Sequence, residues 1–150
     1  MSRSSFLIII VALLLKASTY AQQISPQPVI PGQWIKSWLL CGPIPLKEPK
    51  DASESWDHLV GFNTDYLLKA GSELNLYVKT GDLVKYTRGS IRWKQYNSPG
   101  SIIDLDKAVS NDAPVFAYAY TEVQSTETRV LFISFGSNDG GKLWVNGINV

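Results

Sequence analysis

Along the second half of the chain, apolar and polar residues alternate with a period of two. This is the spacing at which successive side chains point to opposite faces of a strand. Ile91-Arg-Trp-Lys-Gln-Tyr96 alternates in this way and places Ile91, Trp93 and Gln95 on one face. Val115 to Val123 (VFAYAYTEV) sets Val115, Ala117, Ala119, Thr121 and Val123 against Phe116, Tyr118, Tyr120 and Glu122. Arg129 to Phe135 (RVLFISF) is nearly unbroken apolar sequence, the pattern of a central strand covered on both faces. Asn138-Asp-Gly-Gly141 and Asn146-Gly147 are hairpin signals, because asparagine and glycine tolerate positive φ. Lys142 to Val145 is predicted to return between them as a strand, with Leu143 and Val145 opposite Lys142 and Trp144. The Asn146-Gly147 turn demands a following strand, and only Ile148-Asn-Val150 follow it. The sequence is therefore expected to be the front part of a longer β domain, since an open edge leaves backbone groups unpaired.

The first half is less regular. Trp34 to Cys41 (WIKSWLLC) reads as a strand stopped by Gly42-Pro43 and Pro45, with Cys41 as a buried strand thiol. Lys47 to Asp57 reads as a charged surface loop, and Asn63 to Ala70 as one or two helical turns capped by Asn63 or Thr64 and ended by Gly71. Leu74 to Val78 and Ser101 to Leu105 are short strand candidates, and Lys79 to Gly89 reads as polar loop. Short strands, frequent Gly/Pro/Asn turns and almost no helix predict an all-β fold, a β-sandwich or jelly roll.

The start of the chain has a different character. Arg3 precedes the apolar run Phe6 to Leu15, and Thr19 and Ala21 are small residues placed for cleavage before Gln22. Ten helical residues span about 15 Å, half of a hydrocarbon core of roughly 30 Å, so a signal peptide over residues 1–21 is favoured over a membrane anchor. Residues 22–32, with three prolines and no charge, read as a linker, leaving 33–150 as the domain. The expected location is secreted or periplasmic, with no stable membrane span after cleavage.

Removing residues 1–21 takes away Arg3 and Lys16 and no acid, leaving twelve bases against thirteen acids. No basic stripe emerges, which argues against a nucleic-acid partner. With one cysteine there is no internal disulfide, so stability must come from packing. Trp38-Leu-Leu-Cys41 superficially matches a lipidation box but lies too far beyond the apolar run to be one.

Three segments, in order, resemble a known group of bacterial exported proteins. They are Trp38-Leu-Leu-Cys-Gly-Pro43, then Gly61-Phe-Asn-Thr-Asp-Tyr-Leu67 with Gly71-Ser-Glu73, and Gly136-Ser-Asn-Asp-Gly-Gly-Lys-Leu-Trp-Val-Asn-Gly147. Ala117-Tyr-Ala-Tyr-Thr121 also fits. Together they are similar to galactose-binding-like jelly-roll domains, which stand at the front of secreted glycoside hydrolases (including the family 2 sugar-binding domain), esterases and peptidases. The resemblance covers roughly residues 33–150 and specifies fold better than activity. In those relatives the hairpin is followed by further strands and a closing "hydrophobic-x-Leu-x-x-Gly-x-Asn" stretch, which this sequence lacks. The resemblance implies a non-catalytic accessory module that binds carbohydrate or packs against a downstream glycoside hydrolase or esterase domain of the same polypeptide. The alternatives are a ligand-sensing or docking ectodomain of a larger envelope protein, and a truncated product without activity of its own.

Hydrolytic catalysis needs a nucleophile or activated water, a base and an orienting group. His58 is the only histidine; it neighbours Asp57, and adjacent residues in extended chain point apart. No G-x-S-x-G elbow occurs, and Asp104, Asp106 and Glu122 read as solvated turn and strand-end carboxylates. No catalytic residue is therefore assigned. Asn138 and Asp139 offer two oxygen-bearing side chains, short of the roughly six to eight ligands of Ca²⁺, so no cofactor is expected and a structural calcium is a minor alternative. Sugar binding needs aromatic faces for stacking and planar polar groups for hydroxyls. Five tryptophans and seven tyrosines supply the faces, and Trp56, Trp93, Tyr118 and Tyr120 are the candidate carbohydrate-binding residues. Trp144 reads as core.

Overall fold

A computed structural model describes residues 23–45, 64–74, 76–86, 89–110, 115–137 and 140–150. The expected signal peptide, the charged loop with Trp56 and His58, the Asn63 cap and the Asn138-Asp139 turn lie outside the described residues.

The described residues form strands with almost no helix, an all-β arrangement. Its centre is β2 (Ser37–Pro45), antiparallel to β5 (Lys94–Asn97) on one side and to β6 (Val115–Tyr120) on the other. Leu39, Leu40 and Cys41 are consecutive and all buried, so β2 is covered on both faces, as its continuous apolar run requires. The strand does not stop at Gly42-Pro43 as the sequence predicts. It continues to Pro45 through an irregularity between Cys41 and Ile44, which lets the proline lie in a stretch without regular pairing. Gly42 is needed there, because a Cβ would come within 2.6 Å of the Ala117 Cβ and 2.9 Å of Val109 Cγ1. β2 and β6 approach closely at this point.

β3 (Leu83–Tyr86), within the stretch expected to be polar loop, pairs antiparallel with β4 (Gly89–Arg92), which leads into the expected alternating strand. Only Val84 is buried on β3, so its lysine-containing sequence carries a weak apolar signal. The alternating run from Ile91 is divided at Trp93. β4 ends at Arg92, β5 begins at Lys94, and the chain passes from one sheet to the other. Trp93 N–H donates to Asp82 O at 3.0 Å, and Gly81 N–H donates to Trp93 O at 2.8 Å. These two bonds pair the backbone where it leaves both ladders.

Residues 23–32 of the proline-rich segment are not a free linker. Ile24 is buried in the core, and β1 (Gln27–Pro28) runs parallel to β7 (Val123–Gln124). The Gln27 side chain explains the attachment. Its Nε2 donates to Ser37 O at 2.7 Å and to Thr121 Oγ1 at 2.8 Å, while its Oε1 accepts from Ser37 N–H at 2.9 Å. One amide thereby joins three segments, which hydrophobicity patterns do not register.

Two short helical pieces complete the described residues. A 3₁₀ turn, Leu68–Ala70, ends at Gly71 with φ of 110°, matching the helical turns expected there. α1 (Leu105–Ala108) replaces the strand expected over 101–105. Asp104 is its N-cap, accepting from Lys107 N–H, and N-capping outweighs the apolar pair Ile102-Ile103 that had read as strand. No strand forms over 76–79, although Val78 is in the core.

At the other end, β8 (Trp144–Val145) and β9 (Ile148–Asn149) form the expected hairpin. Asn146 (φ 50°) and Gly147 (φ 78°) both take the left-handed conformation of a type I′ turn. A Cβ on Gly147 would overlap the Leu74 carbonyl, so the turn sits on the 72–74 loop. Residues 129–135 are not a central strand here: they join no ladder among the described residues, and Val130 and Phe132 are 85% and 98% exposed.

Candidate functional site

Alternation along β6 sends Phe116, Tyr118 and Tyr120 toward the core, where they meet Trp93 and Tyr66. Ring centroids are 6.4 Å apart for Trp93–Tyr118, 6.5 Å for Trp93–Tyr120, 5.5 Å for Phe116–Tyr118 and 5.2 Å for Tyr66–Phe116. Three of the four aromatic residues expected to bind sugar are thus brought together. Trp93 is only 1% exposed, however, and belongs to the core, so its indole offers no face for stacking. This corrects the sequence expectation: the sheet-switching backbone at Trp93 turns the ring inward beneath Tyr118 and Tyr120. Its Nε1 has no hydrogen-bond partner among the described residues.

The two tyrosines are half-buried, and each presents its hydroxyl to a carboxylate. Tyr118 O–H donates to Glu73 Oε1 at 2.7 Å and accepts from Tyr66 N–H at 3.4 Å. Burial, reinforced by the Glu73 carboxylate, pushes the Tyr118 phenol well above its ordinary range. Glu73 is held in turn by Asp65. The Asp65 carboxylate accepts from Leu67 N–H at 2.8 Å, from Ser72 O–H at 2.5 Å and from Glu73 N–H at 3.2 Å. Asp65, Ser72, Glu73 and Tyr118 therefore clasp the 65–74 loop onto β6. A loop so closed is a structural fastening whose acceptors are already occupied.

Tyr120 is different. Its hydroxyl donates to Glu122 Oε1 at 2.7 Å, and burial followed by that carboxylate raises its pKa. Tyr77 lies close enough to act on it electrostatically. Tyr77 is 57% exposed, with Lys79 Nζ 5.9 Å from its ring centroid. An open aromatic face, an ammonium and a phenol–carboxylate pair are gathered here, a mixture able to stack on an apolar ring surface and hydrogen-bond to hydroxyls. Sequence reasoning passed over Tyr77 and the 60%-exposed Trp34, since neither sits in a clear alternating run. The signal available for Tyr77 was its neighbour Val78, which must face the core and so turns Tyr77 outward.

Asp104 accepts from Lys107 through both its backbone N–H and its ammonium (2.8 Å), and the side-chain bond to Lys107 holds the carboxyl below its usual range. Asp104 caps a helix and is not part of a carboxylate pair. Cys41 is fully buried, and desolvation pushes its thiol up to about 12, so it is inert as a nucleophile at neutral pH. Among the described residues no group of three His, Cys, Asp or Glu side chains could hold a metal ion, and no helix is long and apolar enough to cross a membrane. Compared with protein-family models, curated proteins and solved structures, the chain matches none.

Proposed function

We propose that the chain is a non-catalytic accessory module of a bacterial secreted or periplasmic protein, with a galactose-binding-like jelly-roll fold, that binds carbohydrate. The observation that carries this reading is the exposed Tyr77 ring, with Lys79 Nζ over one face 5.9 Å from its centroid, within electrostatic reach of the Tyr120–Glu122 pair. Tyr77 would stack against the apolar face of a pyranose while Glu122 and Lys79 engage ring hydroxyls. The motif order in residues 38–43, 61–73 and 136–147 supports the fold assignment. The Tyr120 phenol at Glu122 supports the ligand class.

Titration with D-galactose and a galacto-oligosaccharide, followed by isothermal calorimetry and amide chemical shifts, tests the proposal. Saturable shifts centred on Tyr77 and Glu122, lost in Tyr77→Ala, are the expected outcome. Absence of any shift at millimolar sugar removes the carbohydrate reading.

A second reading, a packing or docking module for a downstream hydrolase domain or an envelope protein, is favoured by a different observation. The apolar run 130–135 is uncovered.

A further inference from the structure

We propose that the outer face of the β3–β4 hairpin binds an acidic polysaccharide, one with a carboxylate on each sugar, with Lys79 joining that face to Tyr77. The inference rests on the carbohydrate reading for the ligand class and adds the charge that the ligand carries.

The near-neutral balance of the chain hides an asymmetry. Residues 79–94 hold five bases, Lys79, Lys85, Arg88, Arg92 and Lys94, against the single acid Asp82. The rest of 22–150 holds seven bases against twelve acids. The five are separated in sequence by apolar and polar residues, and the hairpin gathers them. On β3, Val84 is buried while Leu83 and Lys85 are exposed; across the ladder Ile91 stands opposite Val84, Arg92 opposite Leu83 and Ser90 opposite Lys85. Lys85 and Arg92 therefore share the outer face with Leu83 and Ser90, as diagonal neighbours about 7–8 Å apart. Lys94 is exposed two residues beyond Arg92, with buried Trp93 between them.

The one acid of the run is turned onto its own backbone. Asp82 Oδ2 accepts from Lys79 N–H at 2.9 Å, and Asp82 N–H donates to Lys79 O at 3.1 Å. Arg92 Nη1 donates to Gly81 O at 2.7 Å, which holds the guanidinium at the same turn. Among the described residues no carboxylate forms an ion pair with Lys79, Lys85, Arg92 or Lys94. The face is left with a net positive charge.

Spacing decides the kind of anion. A single phosphate or sulfate is held by donors converging on one point. Here the cations stand one by one along a sheet face, which suits single charges repeated along a polymer. Leu83, 42% exposed and adjacent to both Lys85 and Arg92, offers the C–H face of a sugar ring an apolar contact. Lys79 belongs to the turn that Arg92 grips, and its ammonium lies 5.9 Å from the Tyr77 ring centroid, so face and ring are continuous. Glu122, bonded to Tyr120, repels carboxylates from its side of the site and leaves them to Lys79.

Isothermal calorimetry of the full chain with an oligogalacturonate and with its methyl ester, which keeps the backbone and loses the charge, tests the proposal. At low salt the acid should bind at least about tenfold more tightly than the ester. Its log affinity should fall with log salt at a slope of about −2 to −3, as four contacts at roughly 0.7 each imply for a single-stranded polyanion. Lys85→Glu/Arg92→Glu should bring the acid down to about the affinity of the ester. Lys85→Glu by itself removes a side chain with no hydrogen bond or ion pair among the described residues, so it should weaken the acid about threefold or more with circular dichroism unchanged. Equal affinity for acid and ester overturns this proposal and leaves the carbohydrate reading standing. Binding of neither, with no shift from D-galactose, removes both. An acid affinity indifferent to both variants overturns the proposal because the hairpin is then not the surface. An oligothymidylate of equal charge bound as tightly as the acid overturns it because charge without sugar is then sufficient.

Discussion

Trp38–Cys41 and Val130–Phe135 are apolar runs of similar length and meet opposite surroundings. The first lies in β2 between β5 and β6, with Leu39, Leu40 and Cys41 buried on alternating faces. The second lies along the outside of the molecule, with Phe132 almost wholly in solvent. Apolar composition says that a strand belongs between neighbours; which neighbours are present is decided by residues far away in sequence. For β2 these are Trp93 and the aromatic face of β6, while among the described residues 130–135 meets only Gly141, Leu143, Val145 and Val150 along one open groove.

The largest expected effect separates the two regions. Trp93→Ala removes the largest fully buried side chain and should lower stability by about 3–5 kcal/mol, whereas Phe132→Lys should change it by less than about 0.5 kcal/mol. Urea unfolding of both variants checks this. Equal losses would mean that the exposed run contributes to the core. Trp93→Phe should be much milder than Trp93→Ala, since a phenyl ring still fills most of the site and the indole N–H given up has no partner among the described residues.

Of intermediate size are the glycines at which each region touches its surroundings. Gly42→Ala forces a methyl against Ala117 and Val109 and should cost about 1–3 kcal/mol by urea denaturation. Gly147→Ala combines φ of 78° with a clash on the Leu74 carbonyl, and should cost about 1 kcal/mol or more. Its chemical-shift changes should be confined to residues 72–74 and 143–150. The Gly147 loss should be the larger, since its clash is with backbone; the reverse order would mean that the hairpin turn moves readily off the 72–74 loop.

The most selective effect is on pH dependence. Tyr118 and Tyr120 are raised above an ordinary phenol at 10.0, and Cys41 is raised from 9.0 to about 12. In each case the unfolded chain releases its proton first, so the stabilisation is complete below pH about 9 and declines as pH rises through the folded values. The urea midpoint should therefore fall between pH 9 and 12, and less steeply in Tyr118→Phe. A flat profile would place these side chains in water. All the affected groups belong to the packed region.

Much of that packed region was legible. The alternation of Val115–Tyr120 gave the inward aromatic face, Leu-Leu-Cys gave a buried strand thiol, and Asn146-Gly147 gave the hairpin turn, because each is a local requirement of backbone geometry or burial. What escaped depends on partners. Gln27 reads as one more polar residue in a proline-rich stretch until its amide is seen between Ser37 and Thr121. Trp93 reads as a strand aromatic for either face until the sheet switch turns it inward. At 101–105 two isoleucines outweighed an Asp104 cap in the reading but not in the fold. Of the candidate sugar-binding residues, Tyr118 and Tyr120 meet carboxylates and Trp93 is core. The outward face that carries the proposal, Tyr77, was found only by knowing that Val78 is buried.

The Gln27 amide also has a mechanical consequence. Its carbonyl and NH₂ groups contact Ser37 and Thr121 together, while the backbone on either side is held to Glu122 and Gln124 by bonds of 2.9 Å. Tension applied through the N-terminal end is thereby shared among several bonds loaded at once instead of peeling them singly, so the first strand acts as a bolt rather than a zipper.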